Sequence, residues 1–180
     1  MLVIRNISRM QKLADDLRIQ KKVIGFVPTM GFLHAGHLSL IEKIRKKCDT
    51  LVVSIFVNPT QFGPGEDFNR YPRDIERDKR LLNRQGFCDI LFVPAVSQLY
   101  TPGFCTFVNV ERLTSVLCGV SRPHHFRGVT TIVEKLFNIV KPHIAIFGQK
   151  DYQQAVVIKR MVKDCLLYTS PSPRDLSTSR

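Results

Sequence analysis

Val27-Pro28-Thr29-Met30-Gly31-Phe32-Leu33-His34-Ala35-Gly36-His37 is the stretch that decides how this chain is built. The apolar run Val23-Ile24-Gly25-Phe26-Val27 leads into it, and Leu38, Leu40, Ile41 and Ile44 follow at helical spacing. The pattern predicts a buried strand, a tight glycine-bearing turn and the first turn of a helix. A helix N-terminus exposes unpaired N–H groups and the positive end of the helix dipole, so it attracts anions. Gly31 and Gly36 leave the backbone open to close approach. His34 and His37, three residues apart, place both imidazoles on one side of the turn, which suits the phosphates of a nucleotide. The same residues also fit a plain strand–helix connection, with His34 as cap and His37 solvated. Zinc is disfavoured, because neither a cysteine nor a third histidine stands at ligand spacing nearby.

Working outward, strands and helices alternate. Ile7, Met10, Leu13 and Leu17 define one face of a first helix; strand 23–27 and helix 37–47 follow. Residues 51–57 read Leu-Val-Val-Ser-Ile-Phe-Val, apolar almost throughout, as a parallel strand covered on both faces should be. A Pro-, Gly- and Asn-rich loop spans 58–72, and 73–84 is a charged helix with Ile75, Leu81 and Leu82 turned inward. Strand character returns at 90–93 and 106–108. A helix over 128–140, a strand over 144–147 ending at Gly148, and a helix over 151–163 complete the pattern. This order predicts a parallel α/β sheet of Rossmann type with ligands at the carboxyl ends of its strands.

The remaining unusual residues fall at those carboxyl ends. After the second strand, Asn58 and Gln61 offer amides in a loop stiffened by Pro59, able to recognise hydroxyl and carboxylate groups or merely to form a polar loop. After the later strand comes Phe147-Gly148-Gln149-Lys150-Asp151-Tyr152-Gln153-Gln154. Lys150 is a mobile point charge at a helix start, suited to phosphate. Asp151 is placed to cap the helix, and Gln154 lies about one turn further on.

At 180 residues with 44% hydrophobic content the chain can bury one core, so a single domain is expected. Lys and Arg number 27 against 15 Asp and Glu, for a net charge of +12 and a pI of about 9.8. That balance suits anionic partners. The basic residues, such as Lys43, Arg45, Lys46, Lys47, Arg77, Lys79, Arg80 and Arg84, are scattered over helix faces rather than gathered in a stripe, which argues against nucleic acid. Cys48, Cys88, Cys105, Cys118 and Cys165 form no CxxC pair and read as free thiols in a reducing compartment. Neither a secretory signal nor an apolar run of membrane-spanning length is present, so a cytoplasmic protein is expected.

The His-x-Gly-His spacing after a buried strand resembles the HIGH-type signature of the nucleotidylyltransferase superfamily, shared with class I aminoacyl-tRNA synthetases. Taken in order, five segments resemble the pantothenate synthetase (pantoate–β-alanine ligase) family. These are 27–37, Phe56-Val57-Asn58-Pro59-Thr60-Gln61-Phe62, Asn69-Arg70-Tyr71-Pro72-Arg73, Ser121-Arg122-Pro123 with His125-Phe126-Arg127-Gly128-Val129, and 147–154. The similarity runs to about Asp164. It implies ATP-dependent condensation of pantoate and β-alanine through a pantoyl adenylate, with Mg2+ accompanying ATP, pyrophosphate and AMP released, and a homodimer. By the same resemblance, Met30, Gly31, Phe32, Leu33, His34, Ala35, Gly36 and His37 form an ATP loop in which His37 is catalytic. Gly148, Gln149, Lys150 and Asp151 form a second ATP segment. Asn58, Gln61 and Gln154 are implied to recognise pantoate, Gln61 also lying near β-alanine. No protein ligand for a metal is implied.

The chain departs from the family at Cys118 and His124, where an acidic residue and glycine are common, and above all after residue 164. The Ser/Thr/Pro-rich stretch 165–180 cannot build a core. It is expected to be disordered, to resemble translated cloning sequence, and to stand where the family continues into a second domain. The domain proper is therefore expected over 1–164, and a chain without that second domain is expected to be impaired. Two other classes remain as alternatives: a nucleotidylyltransferase with another acceptor, which the Asn58/Gln61 loop and the Gln153-Gln154 pair oppose, and a non-catalytic nucleotide- or RNA-binding module.

Overall fold

In the computed structural model, residues 1–63, 65, 66 and 68–167 are described, together with the backbone of 176–179. In chain order the elements are β1 (Leu2–Ile4), α1 (Ile7–Ile19), β2 (Ile24–Thr29), α2 (Ala35–Arg45), β3 (Thr50–Ile55), α3 (Ile75–Gln85) and β4 (Ile90–Phe92). There follow α4 (Val96–Leu99), α5 (Cys118–Ser121), α6 (His125–Val140), β5 (Ile144–Gly148), α7 (Tyr152–Asp164) and β6 (Leu176–Ser179). Short 3-10 turns occupy Pro59–Gln61 and Gln149–Asp151. The strands pair in parallel in the order β1-β4-β3-β2-β5-β6.

The strands read as unbroken apolar runs because helices cover both faces. Phe26, Val52, Phe92 and Ala145 point into one core with α1, α6 and α7. Their neighbours Val27, Val53, Leu91 and Ile146 point into the other, against α2 and α3. This period-two division gives each strand two buried faces, as a parallel sheet requires. The helix ends follow local chemistry. Asn6 accepts from Arg9 N at 2.9 Å, Asp74 accepts from Arg77 N at 2.8 Å, and Gly86 closes α3 in the left-handed region at φ 74°.

Several sequence expectations are corrected. Residues 106–108 form no strand: the hydroxyl of Thr131 accepts from Val108 N (3.0 Å) and that of Thr130 donates to Val108 O (2.6 Å). Side chains of α6 thus satisfy the backbone that a ladder would have used. The short β1, α4 and α5 were not anticipated, since three or four residues carry too little periodicity to register. Helix α2 starts at Ala35 rather than 37, and α6 at His125 rather than 128. Disorder is expected across 165–180, and two parts of that stretch have described contacts. Leu167 packs against the core, and Leu176–Ser179 lie along β5 with Ala145 opposite Leu176 and Gly148 opposite Ser179. An open strand edge offers unpaired N–H and C=O groups to any extended segment, with no apolar period needed. Residues 168–175 and 180, included in that expectation, lie outside the described residues.

Gly128 brings α6 onto the 59–61 turn. A Cβ there would stand 2.4 Å from Thr60 O and 2.6 Å from Gln61 Cα, both backbone atoms that cannot swing aside. Gly128→Ala is expected to cost about 1–3 kcal/mol through overpacking, read as a fall of several degrees in melting temperature. An unchanged melt would contradict this contact.

Candidate active site

The crevice begins where two neighbouring strands part. β2 pairs with β3 as far as Thr29 but with β5 only at Gly25 and Phe26. Thr29 O accepts from Phe56 N at 3.0 Å, so Thr29 faces β3 and Pro28, one residue earlier, faces β5. Proline has no N–H to donate, and here it stands where the ladder has already ended. From β2 the chain steps to β3 and β4 on one side and later to β5 on the other. The opening therefore lies at a topological switch point, the place where such sheets bind ligands.

The turn after β2 is held by a buried carboxylate. Asp78 of α3, 1% exposed, accepts from Phe32 N through Oδ2 and from Leu33 N through Oδ1, both at 2.8 Å. Arg77 donates to Asp78 Oδ1 at 3.3 Å, and its guanidinium lies 4.7 Å from the Phe32 ring centroid. Gly31 takes φ 83°, and a Cβ there would meet Ile55 Cγ2 at 2.9 Å. Phe32 itself takes φ 50°, an uncommon conformation for an aromatic residue, kept in place by the Asp78 bond to its N–H. Thr29 ties the turn to the sheet, its hydroxyl donating to Ser54 O and accepting from Gly31 N.

Beyond the turn, His34 is the N-cap of α2: its Nδ1 accepts from Gly36 N at 3.1 Å. A Cβ at Gly36 would come within 2.9 Å of the His34 ring, so this glycine makes room for the cap. The His34 and His37 rings lie 4.1 Å apart. Burial pushes the half-buried His37 down to a pKa of about 4, with His34 adding to the fall and Asp78 and Asp151 opposing it. His37 is thus neutral at pH 7. Its Nδ1 is buried without a hydrogen-bond partner among the described residues.

The other expected residues divide between support and exposure. Asn58, 1% exposed, has every hydrogen-bonding position filled within the protein. Nδ2 donates to Gln61 Oε1 (3.3 Å) and Gly128 O (3.0 Å), while Oδ1 accepts from Tyr100 (2.7 Å) and Thr60 (3.1 Å). In this conformation Asn58 braces its neighbours and has no bond left for a ligand. Gln61 Nε2 reaches Met30 Sδ at 2.9 Å, and Gln61 O contacts His125 Nδ1 at 3.0 Å. Leu33 is buried in the core, whereas Ala35, Gln149, Lys150 and Asp151 are exposed and Gly148 and Gln154 half-buried. Asp151 begins α7 without a side-chain cap bond, contrary to expectation; a 3-10 turn leads into the helix instead, and the Asp151 side chain stays exposed. Asp151 acts electrostatically on both His37 and His125, which places the second segment beside the first.

Three contributors carry a structural role that the sequence reading does not assign them. Asp78 could have been singled out, because it shares the inward stripe of α3 with Ile75 and Leu82, where a carboxylate demands donors. Gln153 holds the 113–118 loop through Leu113 O, Val116 O and Cys118 N. Arg122 grips Glu66 at 2.6 and 3.0 Å and holds its carboxyl near a pKa of about 2. Neither pairing leaves a local signal.

A parallel sheet whose switch-point crevice is walled by a histidine-capped helix and a lysine-bearing turn defines an α/β domain of nucleotidylyltransferase type. The profile of the pantoate–β-alanine ligase family matches residues 2–172, and the chain belongs to that family. It is 60% identical over 164 residues to the pantothenate synthetase of Pelotomaculum thermopropionicum and 58% identical to that of Thermotoga neapolitana. Each match covers 91% of this chain and 58% of the relative. The crystal structure of the Thermus thermophilus pantothenate synthetase superposes with a TM-score of 0.90 at 45% identity, covering 99% of this chain and 61% of that one. The pantoate–β-alanine ligase of Francisella tularensis, solved with β-γ ATP and β-alanine, gives 0.91 at 38% identity, covering 99% and 66%.

Folding disfavours the charged form of His37, so between pH 6.5 and about 4 protons bind the unfolded chain and not the folded one. This histidine therefore lowers stability as pH falls through that window and is without effect above it. An NMR titration should put the His37 midpoint near 4, and His37→Gln should flatten the stability profile between those limits. A midpoint near 6.5 would contradict the burial described.

Proposed function

We propose that the crevice binds ATP and pantoate and serves the condensation of pantoate with β-alanine. The pantoate carboxylate attacks the α-phosphorus of ATP and expels pyrophosphate; the β-alanine amine then attacks the acyl carbon and expels AMP. The observation that carries this reading is the pairing of His34 and His37 at the start of α2 with the Lys150–Asp151 turn. Neutral His37 then acts as a hydrogen-bond donor to phosphate oxygen; the negative charge of bound phosphates raises its proton affinity, so that the ring takes a proton from solvent and, as imidazolium, can pass it to the departing pyrophosphate. His34 Nδ1 is spent on the Gly36 N–H, which leaves Nε2–H for the nucleotide. Met30, Gly31, Phe32, Leu33, Ala35 and Gly36 shape the loop, Gly148 and Gln149 continue the second segment, and Lys150 supplies positive charge.

Gln61 and Gln154 are the amides offered to pantoate, with Gln61 also toward β-alanine, while Asn58 acts by supporting Gln61. Mg2+ enters as the ATP complex. No group of three metal-binding side chains occurs among the described residues. Phosphate oxygens would hold most of the ion, with Asp151 the exposed carboxylate at hand. We also assign a homodimer and a cytoplasmic setting, in keeping with five free cysteines. No helix among the described residues is long and apolar enough to cross a membrane. The chain spans 58% of the length of the curated relatives it matches, so ligand binding is the direct readout and turnover is a property of the whole protein.

Calorimetric titration with ATP and with pantoate should show both binding. Gln61→Ala and Gln154→Ala should weaken pantoate about tenfold and spare ATP, since hydrogen bonds to charged groups contribute about 1.5–3 kcal/mol each. Measured in a whole-length version of the protein, His37→Ala should retain ATP binding but lose pyrophosphate release. Loss of ATP rather than pantoate binding in the two glutamine variants would refute this division of the crevice.

A further inference from the structure

The partners of Asn58 fix its orientation, and through it that of Gln61. Gly128 O can only accept, and it lies 3.0 Å from Asn58 Nδ2, so the amide nitrogen faces α6. On the other side Tyr100 donates to Oδ1 at 2.7 Å, and the Thr60 hydroxyl does so at 3.1 Å. One N–H of Asn58 is spent on Gly128; the second points at Gln61, 3.3 Å away, where only Oε1 can receive it. The Gln61 nitrogen is thereby turned toward Met30, whose thioether is a weak acceptor. Any oxygen-bearing ligand offers a better one.

We propose that Tyr100 is a positioning residue that, through Asn58, locks the Gln61 amide with its N–H donors facing the crevice. The site is thereby selective for a ligand carrying acceptor oxygens, such as the carboxylate and hydroxyls of a hydroxy acid. This rests on Gln61 as a pantoate contact. Tyr100 lies in the segment after α4, and it is clamped from several sides. Lys135 Nζ stands 4.8 Å from its ring centroid and 4.0 Å from that of Phe104, while also donating to Leu99 O. The Phe104 ring meets Tyr100 edge-on at 5.0 Å. Burial raises the phenol's pKa, so it remains a donor at neutral pH. The polarity thus runs one way, from phenol to Asn58 oxygen, Asn58 nitrogen to Gln61 oxygen, and Gln61 nitrogen to ligand.

Tyr100→Phe keeps the ring and deletes the donor. Calorimetry should show pantoate binding about five- to tenfold weaker with ATP affinity and melting temperature unchanged. The side-chain amide resonances of Gln61, one sharp pair in the parent, should broaden or double as the amide samples both orientations. Asn58→Asp cannot donate to either partner. It should reverse Gln61 and cost more pantoate affinity than Tyr100→Phe, again sparing ATP. Unchanged pantoate affinity in Tyr100→Phe with a single Gln61 amide pair would overturn the proposal. So would equal loss of pantoate and ATP binding with a lowered melting temperature. A parent chain that binds no pantoate would instead refute the underlying assignment of Gln61, while the amide resonances would still report whether Tyr100 sets its orientation.

Discussion

One buried carboxylate decides the shape of the crevice. The turn after β2 places Gly31 and Phe32 in the left-handed region in succession, and for Phe32 that conformation costs on the order of 1–3 kcal/mol. Asp78 offsets it with two charge-assisted bonds, to Phe32 N and Leu33 N. Its own desolvation is compensated by those bonds and by Arg77, which is anchored in turn over the Phe32 ring. Such an arrangement specifies a conformation more than it adds stability. The direction in which α2 leaves the turn, and hence where His34 and His37 stand, depends on α3 being docked.

The two histidines show how one local geometry yields two chemical characters. His34 is exposed, and its Nδ1 is committed to capping; His37 is half-buried with its neutral form favoured. A neutral imidazole at a helix N-terminus donates a hydrogen bond without adding a second positive charge to a region that is already positive. The acidic groups nearby, Asp78 and Asp151, partly oppose this shift, so the balance is sensitive to what occupies the crevice. A phosphate brought beside His37 adds negative charge on the same side of the balance as Asp151 and moves the ring toward protonation.

Most of the fold was legible because the strands are buried on both faces and the helices carry clean apolar stripes. The 27–37 stretch was legible for the same reason, strand period giving way to helix period across two glycines. What stayed hidden depends on distant partners. Thr106-Phe107-Val108 has strand propensity, yet threonines 22 and 23 residues away take its backbone bonds. Asn58 looked like a ligand-facing amide in a polar loop. Its burial against Gly128 and Tyr100 follows from α6 crossing the loop, which no local pattern encodes. Asp78 lay on the inward stripe of α3, but its donors sit 45 and 46 residues earlier.

These hidden partners share a purpose. Asp78 reaches the crevice turn from α3, Gly128 the 58–61 turn from α6, and Tyr100 the same turn from the segment after α4, each meeting a backbone group or an amide rather than open solvent. The crevice residues sit on turns, which have few internal bonds of their own. Their geometry is therefore borrowed from the helices and connections around them. Gln61 illustrates this: its backbone is fixed by His125 and the close pass of Gly128, and its amide by Asn58, so little rotational freedom remains to be lost when a ligand binds. Ordering costs of roughly 0.5–1.5 kcal/mol per immobilised side chain are met during folding rather than at binding. A small polar ligand has little apolar surface to bury. A preorganised crevice of this kind is one way such a ligand can still be held with useful affinity.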